Sequence, residues 1–366
     1  MRIAFLLPVL GHPRIHKRIQ AVADAGADTR LLAFERDVPF KRGELPPYES
    51  LGRLKDGRYL ARALPYGAAL SRVRRVAKSV DALYCFSADL LALAVAATLG
   101  MQCRPKLVCE VADIRGVLLG DHPAARSARK AEAQVIQRAD LVVVTSQAYI
   151  DGFYGEVQGL RGLPSLLIEN KVESDALPPP EASAERNDGI LRIVYSGLMC
   201  CGRSWRLISR LAKQENERVQ VRLHGIFQGE LAGLESEVAG RRNIEYFGPF
   251  EAPRELPAIF GWPDLVWIAH AYGEANQAWA RANRFYQAGY FGKPMVAQRG
   301  TEDGRVVESE NFGPVIDLHD PDSSLECLAK IGPDDLRGWR QAIEGAPRDL
   351  FVLGDEHDQL LARLAR

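Results

Sequence analysis

The sequence predicts an α/β protein built from two doubly wound, parallel-sheet domains of similar size that face each other across a cleft. Three observations carry that expectation. Short apolar runs alternate with amphipathic segments in both halves, the signature of βαβ units. The chain has 366 residues, more than one typical domain needs. Near its middle, residues 173–189 read ESDALPPPEASAERNDG, where three consecutive prolines and a polar run suit a semi-rigid linker.

The first half offers strands at 2–8 (RIAFLLP), 29–35 (TRLLAFE), 82–87 (ALYCFS), 106–111 (KLVCEV), 141–146 (LVVVTS) and 165–170 (SLLIEN). Helical segments such as RIHKRIQAVADAG and AEAQVIQRA separate them, with Gly26 closing the first as a C-cap. After the linker a second series follows at 190–197, 219–225, 244–248, 264–270, 294–298 and 313–318. The domains are therefore expected at 1–172 and 190–345, with a C-terminal helix in 346–366 packing back toward the first. In such sheets ligands bind outside the carboxyl ends of the strands, so the strand-end loops are where function is sought.

Composition excludes several classes. Lysine plus arginine equal aspartate plus glutamate at 47 each, which gives no support to bulk nucleic-acid binding. The six cysteines show no CxxC spacing, which points to a reducing compartment without disulfides or zinc. The apolar start stops at Pro8 and Gly11, too early for a signal peptide, and the run LLALAVAATLGM at 90–101 is too short to span a bilayer. A cytoplasmic protein is expected, peripheral at the inner face of the cell membrane if it touches one. There is no GxGxxG, P-loop, GxSxG or metal motif. The two histidines in GHPRIH, His12 and His16, have the spacing of metal ligands, but Pro13 lies between them and no third ligand is near, so no metal is assigned.

The ordered motifs resemble those of the GT-B glycosyltransferases, most closely the bacterial family-4-like group. EVADIRG (110–116), AEAQVIQRADLVVVTSQ (131–147) and LLIENKV match the first domain's pattern. IVYSGLMCCGR, VRLHGIFQG, NIEYFGPF and DLVWIAHAYG match the second. The most telling stretch is NRFYQAGYFGKPMVAQRGTEDGRVVESENFG, which carries the basic residue, helix, G-K-P, strand, G-T and V-E in the family's order. The resemblance covers nearly the whole chain. It implies two Rossmann-like domains and transfer of a sugar from a nucleotide-diphosphate donor, with no required cofactor or metal.

On that resemblance, Arg284 holds the donor diphosphate, a task suited to the guanidinium fork at a helix start. Arg203, ending the loop after the second domain's first strand, is the other candidate, with Gly197 and Gly202 allowing close backbone approach. Gln287 and Glu308 position the nucleoside or donor sugar, and Gly300 and Thr301 offer backbone N–H groups. Gly292-Lys293-Pro294 is a structural turn. The pattern departs from the family at Gln287 and Trp279, where glutamates are usual, and at Ala112, where many relatives carry histidine. In the first domain Asp113 is the expected base or orienter of the acceptor hydroxyl, with Glu110 three residues back in the strand. Gly11, His12, Arg14 and His16 line the acceptor side.

Residues 53–80 are basic and partly apolar, as a surface-bound amphipathic helix would be. The expected activity is transfer to a glycan or lipid-linked acceptor in surface polysaccharide biosynthesis, with retention implied by the resemblance. Two alternatives stay open: a non-catalytic nucleotide-sugar-binding or scaffold protein, and a nucleotide-sugar epimerase or hydrolase.

Overall fold

The structure is a computed structural model and describes residues 1–36, 46–54, 62–174, 177–178, 186, 188–271 and 276–366. Most of the Pro-rich segment and residues 55–61 of the basic stretch lie outside the described residues. Two compact units divide the chain: Met1–Glu169 together with Gly354–Arg366, and Asn170–Leu353.

The first unit is a seven-stranded parallel sheet in the order β3-β2-β1-β4-β5-β6-β7. Its strands are β1 (Arg2–Leu7), β2 (Asp28–Glu35), β3 (Glu49–Arg53), β4 (Ala82–Cys85), β5 (Lys106–Val111), β6 (Leu141–Val144) and β7 (Ser165–Leu167). Central strands are buried on both faces, which is why they read as continuous apolar runs such as Leu141–Val144. Edge strand β3 has no such run; Leu51 is its buried residue, and it escapes a reading based on apolar patterning. The strand order reverses between β1 and β4, so the loops after these strands flank a crevice. Helix α1 (Pro13–Asp24) starts with Pro13 in the first turn, where the missing N–H costs nothing. Helices α2 (Ala63–Ala77), α3 (Ala88–Thr98) and α4 (Pro123–Ile136) follow, and the last helix of the chain, Glu356–Ala365, packs on α1 within this unit.

The second unit is a six-stranded parallel sheet in the order β10-β9-β8-β11-β12-β13. These strands are β8 (Leu191–Met199), β9 (Val219–Phe227), β10 (Ile244–Gly248), β11 (Leu265–Trp267), β12 (Met295–Gln298) and β13 (Val315–Ile316). Alternate β8 residues serve two cores. Ile193 and Tyr195 pack with Trp205, Ile208 and Leu211 of α5 (Gly202–Gln214). Val194 packs with Phe285, Tyr286 and Ala288, which place α8 (Asn283–Tyr290) on the opposite face. Helices α6 (Glu235–Val238), α7 (Leu256–Gly261), α9 (Glu302–Ser309), α10 (Pro321–Ala329) and α11 (Pro333–Gly345) complete the unit, leaving α12 for Glu356–Ala365.

The sheet is pinched where β8 and β9 end. Gly197 has φ +89° and lies inside β8 rather than in the loop beyond it. Its partner Gly225 has φ +135°, and a Cβ there would lie 1.9 Å from the Gly197 carbonyl oxygen. Backbone cannot swing aside as a side chain can. Gly225→Ala is therefore expected to cost ~2–4 kcal/mol of stability, measured by urea unfolding. Gly240→Ala, where a Cβ meets nothing within 4 Å, serves as the near-neutral control.

Candidate active site

In the second unit the strand order reverses between β8 and β11, and the loops after these two strands meet α8 and α9. Arg284 stands in the first turn of α8. Its guanidinium donates to the Ser196 carbonyl and lies over the Tyr195 ring, with 4.8 Å from Cζ to the ring centroid. Beside it is a cavity of about 160 Å³ whose polar lining includes His270, Asn276, Gln277, Arg284, Thr301 and Asp303. The starts of α8 and α9, the segment after β11 and a guanidinium held by β8 thus converge on one space, an arrangement suited to an anion.

Two titratable groups in this lining were not singled out by sequence. His270 follows β11, with Nε2 3.4 Å from the Tyr195 hydroxyl oxygen. Burial, and then the Arg284 charge, push its pKa down to about 4, so the imidazole is neutral at physiological pH. Asp303, only 6% exposed, accepts the Ala282 N–H at Oδ2 over 3.0 Å and so ties α9 to the start of α8. Its Oδ1 has no hydrogen-bond partner and lies 3.9 Å from Arg281 Nε. Burial pushes the carboxyl pKa up to about 7 against the opposing pull of that N–H, Arg281 and Arg284. An aspartate in a helix's first turn ordinarily reads as a solvated dipole partner, so its burial leaves no mark in the local pattern. His270 had one available signal: it stands at the end of an apolar strand, on the ligand-binding edge.

The other expected donor-side residues are placed differently from one another. Thr301 caps α9, its hydroxyl accepting from Gly304 N at 3.0 Å and donating to the Gln298 carbonyl at 2.7 Å. Gly300 makes the preceding exposed turn at φ +77°, a backbone conformation that favours glycine. Gln287 is half-buried one turn along α8 from Arg284 and outside the cavity lining. Glu308, expected to position the nucleoside or donor sugar, is exposed in the last turn of α9, whose start Thr301 caps, and does not line the Arg284 cavity. Arg203 is exposed in the first turn of α5, its Nη1 3.0 Å from His319 Nδ1. It does not line the Arg284 cavity. Gly202 lets Glu230 approach, since a Cβ would lie 2.3 Å from that carboxylate.

In the first unit Glu110 is fully buried at the hub of a network. Arg14 and Tyr84 donate to it, and Arg18 Nε reaches it at 3.1 Å. Burial raises its carboxyl pKa, but Arg18 and Arg14 overcome this and hold it below the usual carboxylate range. Arg18 extends the network to the Ile168 carbonyl at 2.9 Å and to His357 of α12 at 2.8 Å. Arg14 therefore faces inward at its tip, while a quarter of its side chain remains exposed. Gly11 N donates to His16 Nε2 at 3.2 Å, and His12 occupies the N-cap position of α1. Burial lowers the pKa of both histidines, aided at His12 by Arg14 and His16.

Asp113 lies just past β5 and is exposed. Desolvation by surrounding protein atoms nonetheless raises its pKa, against Arg14 and Arg115. A second cluster, absent from the sequence reading, gathers Arg62, Tyr66 and Arg115 on Asp89 at the start of α3. Among the described residues no group of three or more His, Cys, Asp or Glu is placed to hold a metal, and no helix is long and apolar enough to cross a membrane.

Asp303 gives a pH signature with a defined sign. Its folded pKa, about 7, lies above its unfolded value, so the folded state holds the extra proton between the two. Its contribution to stability is full below about pH 4 and is lost as pH rises toward 7. Asp303→Asn retains an acceptor for Ala282 N–H but cannot titrate. Relative to this variant, the wild type is expected to lose roughly 2–4 kcal/mol between pH 4 and pH 8 in urea unfolding. His270 and His357 titrate in both proteins, so the difference isolates Asp303.

Residues 12–158 match the model of the glycosyl transferase 4-like domain. The succinoglycan biosynthesis protein ExoL of Rhizobium meliloti is 26% identical over 353 residues, covering 91% of this chain and 85% of its own. A glycosyltransferase from Rickettsia africae superposes with a TM-score of 0.71 at 12% identity, over 99% of this chain and 97% of that one. Sucrose-phosphate synthase from Thermosynechococcus elongatus gives 0.69 at 15% identity, over 99% and 98%. HepE from Anabaena, solved with UDP and glucose, gives 0.68 at 16% identity, over 99% of each chain. These likenesses give the chain the two-domain fold of the GT-B glycosyltransferases over its length, with a match to the glycosyl transferase 4-like domain across residues 12–158.

Proposed function

We propose that the chain moves a sugar from a nucleoside-diphosphate donor to a glycan or lipid-linked acceptor in polysaccharide biosynthesis, with retention of anomeric configuration. The observation that carries this reading is Arg284, fixed over Tyr195 and beside a cavity at the carboxyl edge of the sheet. Support comes from HepE, solved with UDP and with UDP-glucose, and from ExoL, whose name places it in succinoglycan biosynthesis.

The bond from the donor sugar's anomeric carbon to the diphosphate oxygen breaks, and a bond to the acceptor oxygen replaces it. Negative charge grows on the departing diphosphate, and Arg284, already immobile, stabilises it without reorganising. Arg203, paired with His319, provides a second cation on the same edge. Neutral His270 and the Asp303 carboxyl offer hydrogen bonds to sugar hydroxyls in the cavity. No metal is required in this reading, since basic side chains and a helix start take the leaving-group charge. Asp113 accepts the acceptor hydroxyl's proton or orients that hydroxyl, and its raised pKa brings it closer to a useful base. On α2, Arg72 and Lys78 are exposed together with Leu64, a surface suited to peripheral contact with an anionic membrane that presents a lipid-linked acceptor.

Calorimetric titration with UDP, GDP, CDP and dTDP is expected to show saturable binding of one nucleotide. Arg284→Ala should weaken it roughly 10- to 100-fold, the loss of one or two charge-assisted hydrogen bonds. Folded protein that binds none of the four would overturn the donor assignment. Asp113→Asn is expected to leave nucleotide affinity unchanged and to lower kcat on the order of 10²-fold. Donor consumed equally fast without any acceptor would instead indicate epimerisation or hydrolysis, and binding without turnover a scaffold role.

A further inference from the structure

A second cavity, of about 210 Å³, opens at the other end of the second unit's sheet. It lies where β8 begins at Leu191 and where Asp264 precedes β11. The nine residues of β8 separate this edge from the Arg284 edge, a span of roughly 25–30 Å. Arg186, Arg218, Arg337 and Arg340 line the cavity, with Asp264 as the carboxylate among the described lining residues.

That carboxylate is already engaged. Asp264 Oδ2 accepts the Arg192 N–H at 3.1 Å, and Oδ1 accepts from Arg340 Nη2 at 3.0 Å. Arg218 donates to the Ile331 carbonyl at 3.0 Å and pairs with Glu215 at 3.1 Å, and Arg337 pairs with Asp334 at 2.8 Å. Arg186 donates to the Trp262 carbonyl at 2.7 Å, a neutral partner that leaves its charge in place. Arg340 Nε is buried with no hydrogen-bond partner. The α11 start does not supply the attraction, because Asp335 already accepts its Gly332 N–H at 2.9 Å. Behind the arginines lies Lys293 of the Gly-Lys-Pro turn, only 3% exposed. Arg186, held by a carbonyl and not by an acid, keeps its charge at the cavity mouth beside the Arg340 guanidinium, an arrangement suited to an anion.

We propose that this cavity is a phosphate-binding site, taking inorganic phosphate or the phosphate group of a small metabolite at the sheet edge opposite the donor pocket. A phosphate at neutral pH carries between one and two negative charges and three or more acceptor oxygens. Guanidinium groups meet such oxygens in a fixed fork geometry. Lys293 gives binding a proton signature. Burial, with Arg340 and Arg186 also lowering it and Asp264 opposing, depresses its pKa to about 8. An anion in the cavity favours the charged ammonium, so binding near pH 8 takes up protons. This inference does not depend on the transferase assignment, since none of its residues lines the Arg284 cavity.

The test is calorimetric titration of the full chain with inorganic phosphate and, separately, glucose 6-phosphate, near pH 8 in two buffers of different ionisation enthalpy. The Arg284→Ala background weakens binding at the donor pocket, so that heat retained in this variant reports the opposite edge. Expected are saturable binding retained in that background, an apparent enthalpy that differs between the buffers through proton uptake, and affinity at least about tenfold weaker in Arg340→Gln. Because Arg340→Gln also strips Asp264 of a partner, Arg186→Gln is the second variant and should weaken binding similarly while leaving Asp264 untouched. Whichever ligand binds more tightly identifies the source of the phosphate. Absence of saturable heat for both ligands up to about 10 mM overturns the proposal, as does binding undiminished in both arginine variants.

Discussion

The Arg284 guanidinium is anchored by a backbone carbonyl, that of Ser196, and the chemistry of the second unit depends on this choice of partner. A carbonyl fixes the direction of a guanidinium but leaves its charge uncancelled, whereas a carboxylate would do both. The neighbouring groups keep it that way. His270 is driven neutral by burial, and the Asp303 carboxyl is held near half-protonation, so neither adds a full opposing or reinforcing charge. The geometry in turn requires the pinched β8–β9 ending, where Gly197 takes φ +89° and turns its backbone beside Arg284. A local backbone constraint thus sets the electrostatics of the pocket.

The first unit handles its arginines in the opposite way. Glu110 draws Arg14 and Arg18 onto one buried carboxylate, with Tyr84 on the same group and His357 completing the outer end. Buried pairs of this kind cost desolvation and are weak evidence for net stability, but removing one member leaves an unmatched charge, so they fix geometry firmly. Arg18 reaches three elements at once: β5 through Glu110, the segment after β7 through Ile168, and α12 through His357. With Arg14 committed inward, Asp113 is left as an exposed titratable group just past β5.

The sheets were legible because parallel strands buried on both faces leave unbroken apolar runs. Lys106–Val111 and Ile244–Gly248 appear where the sequence placed them, while the run 264–270 holds a strand only at Leu265–Trp267. Edge strand Glu49–Arg53 left no signal, since its pairing is backbone and its side chains are mostly polar. Arg284 was legible as a basic residue opening a helix before Gly-Lys-Pro. The burial of Asp303 and Glu110 was not, because burial of a charged residue depends on partners distant in sequence: Ala282 for one, Arg14 and Arg18 for the other. Glu308 shows the converse, a motif position that the helix cap carries to an exposed final turn.

Gln287 and Trp279 stand where the resembling family usually carries glutamates, and the structure gives this departure a consequence. Gln287 is half-buried and outside the lining of the Arg284 cavity, so its amide adds no charge there. Glutamine can still accept from one hydroxyl and donate to another, but without the charge that roughly doubles such a bond. Among the described residues lining the cavity the carboxyl is Asp303, and burial weakens it as a competitor for an anion. In the proposed reading, recognition therefore rests on the phosphates more than on hydroxyl groups, and the uncancelled charge of Arg284 serves the departing diphosphate.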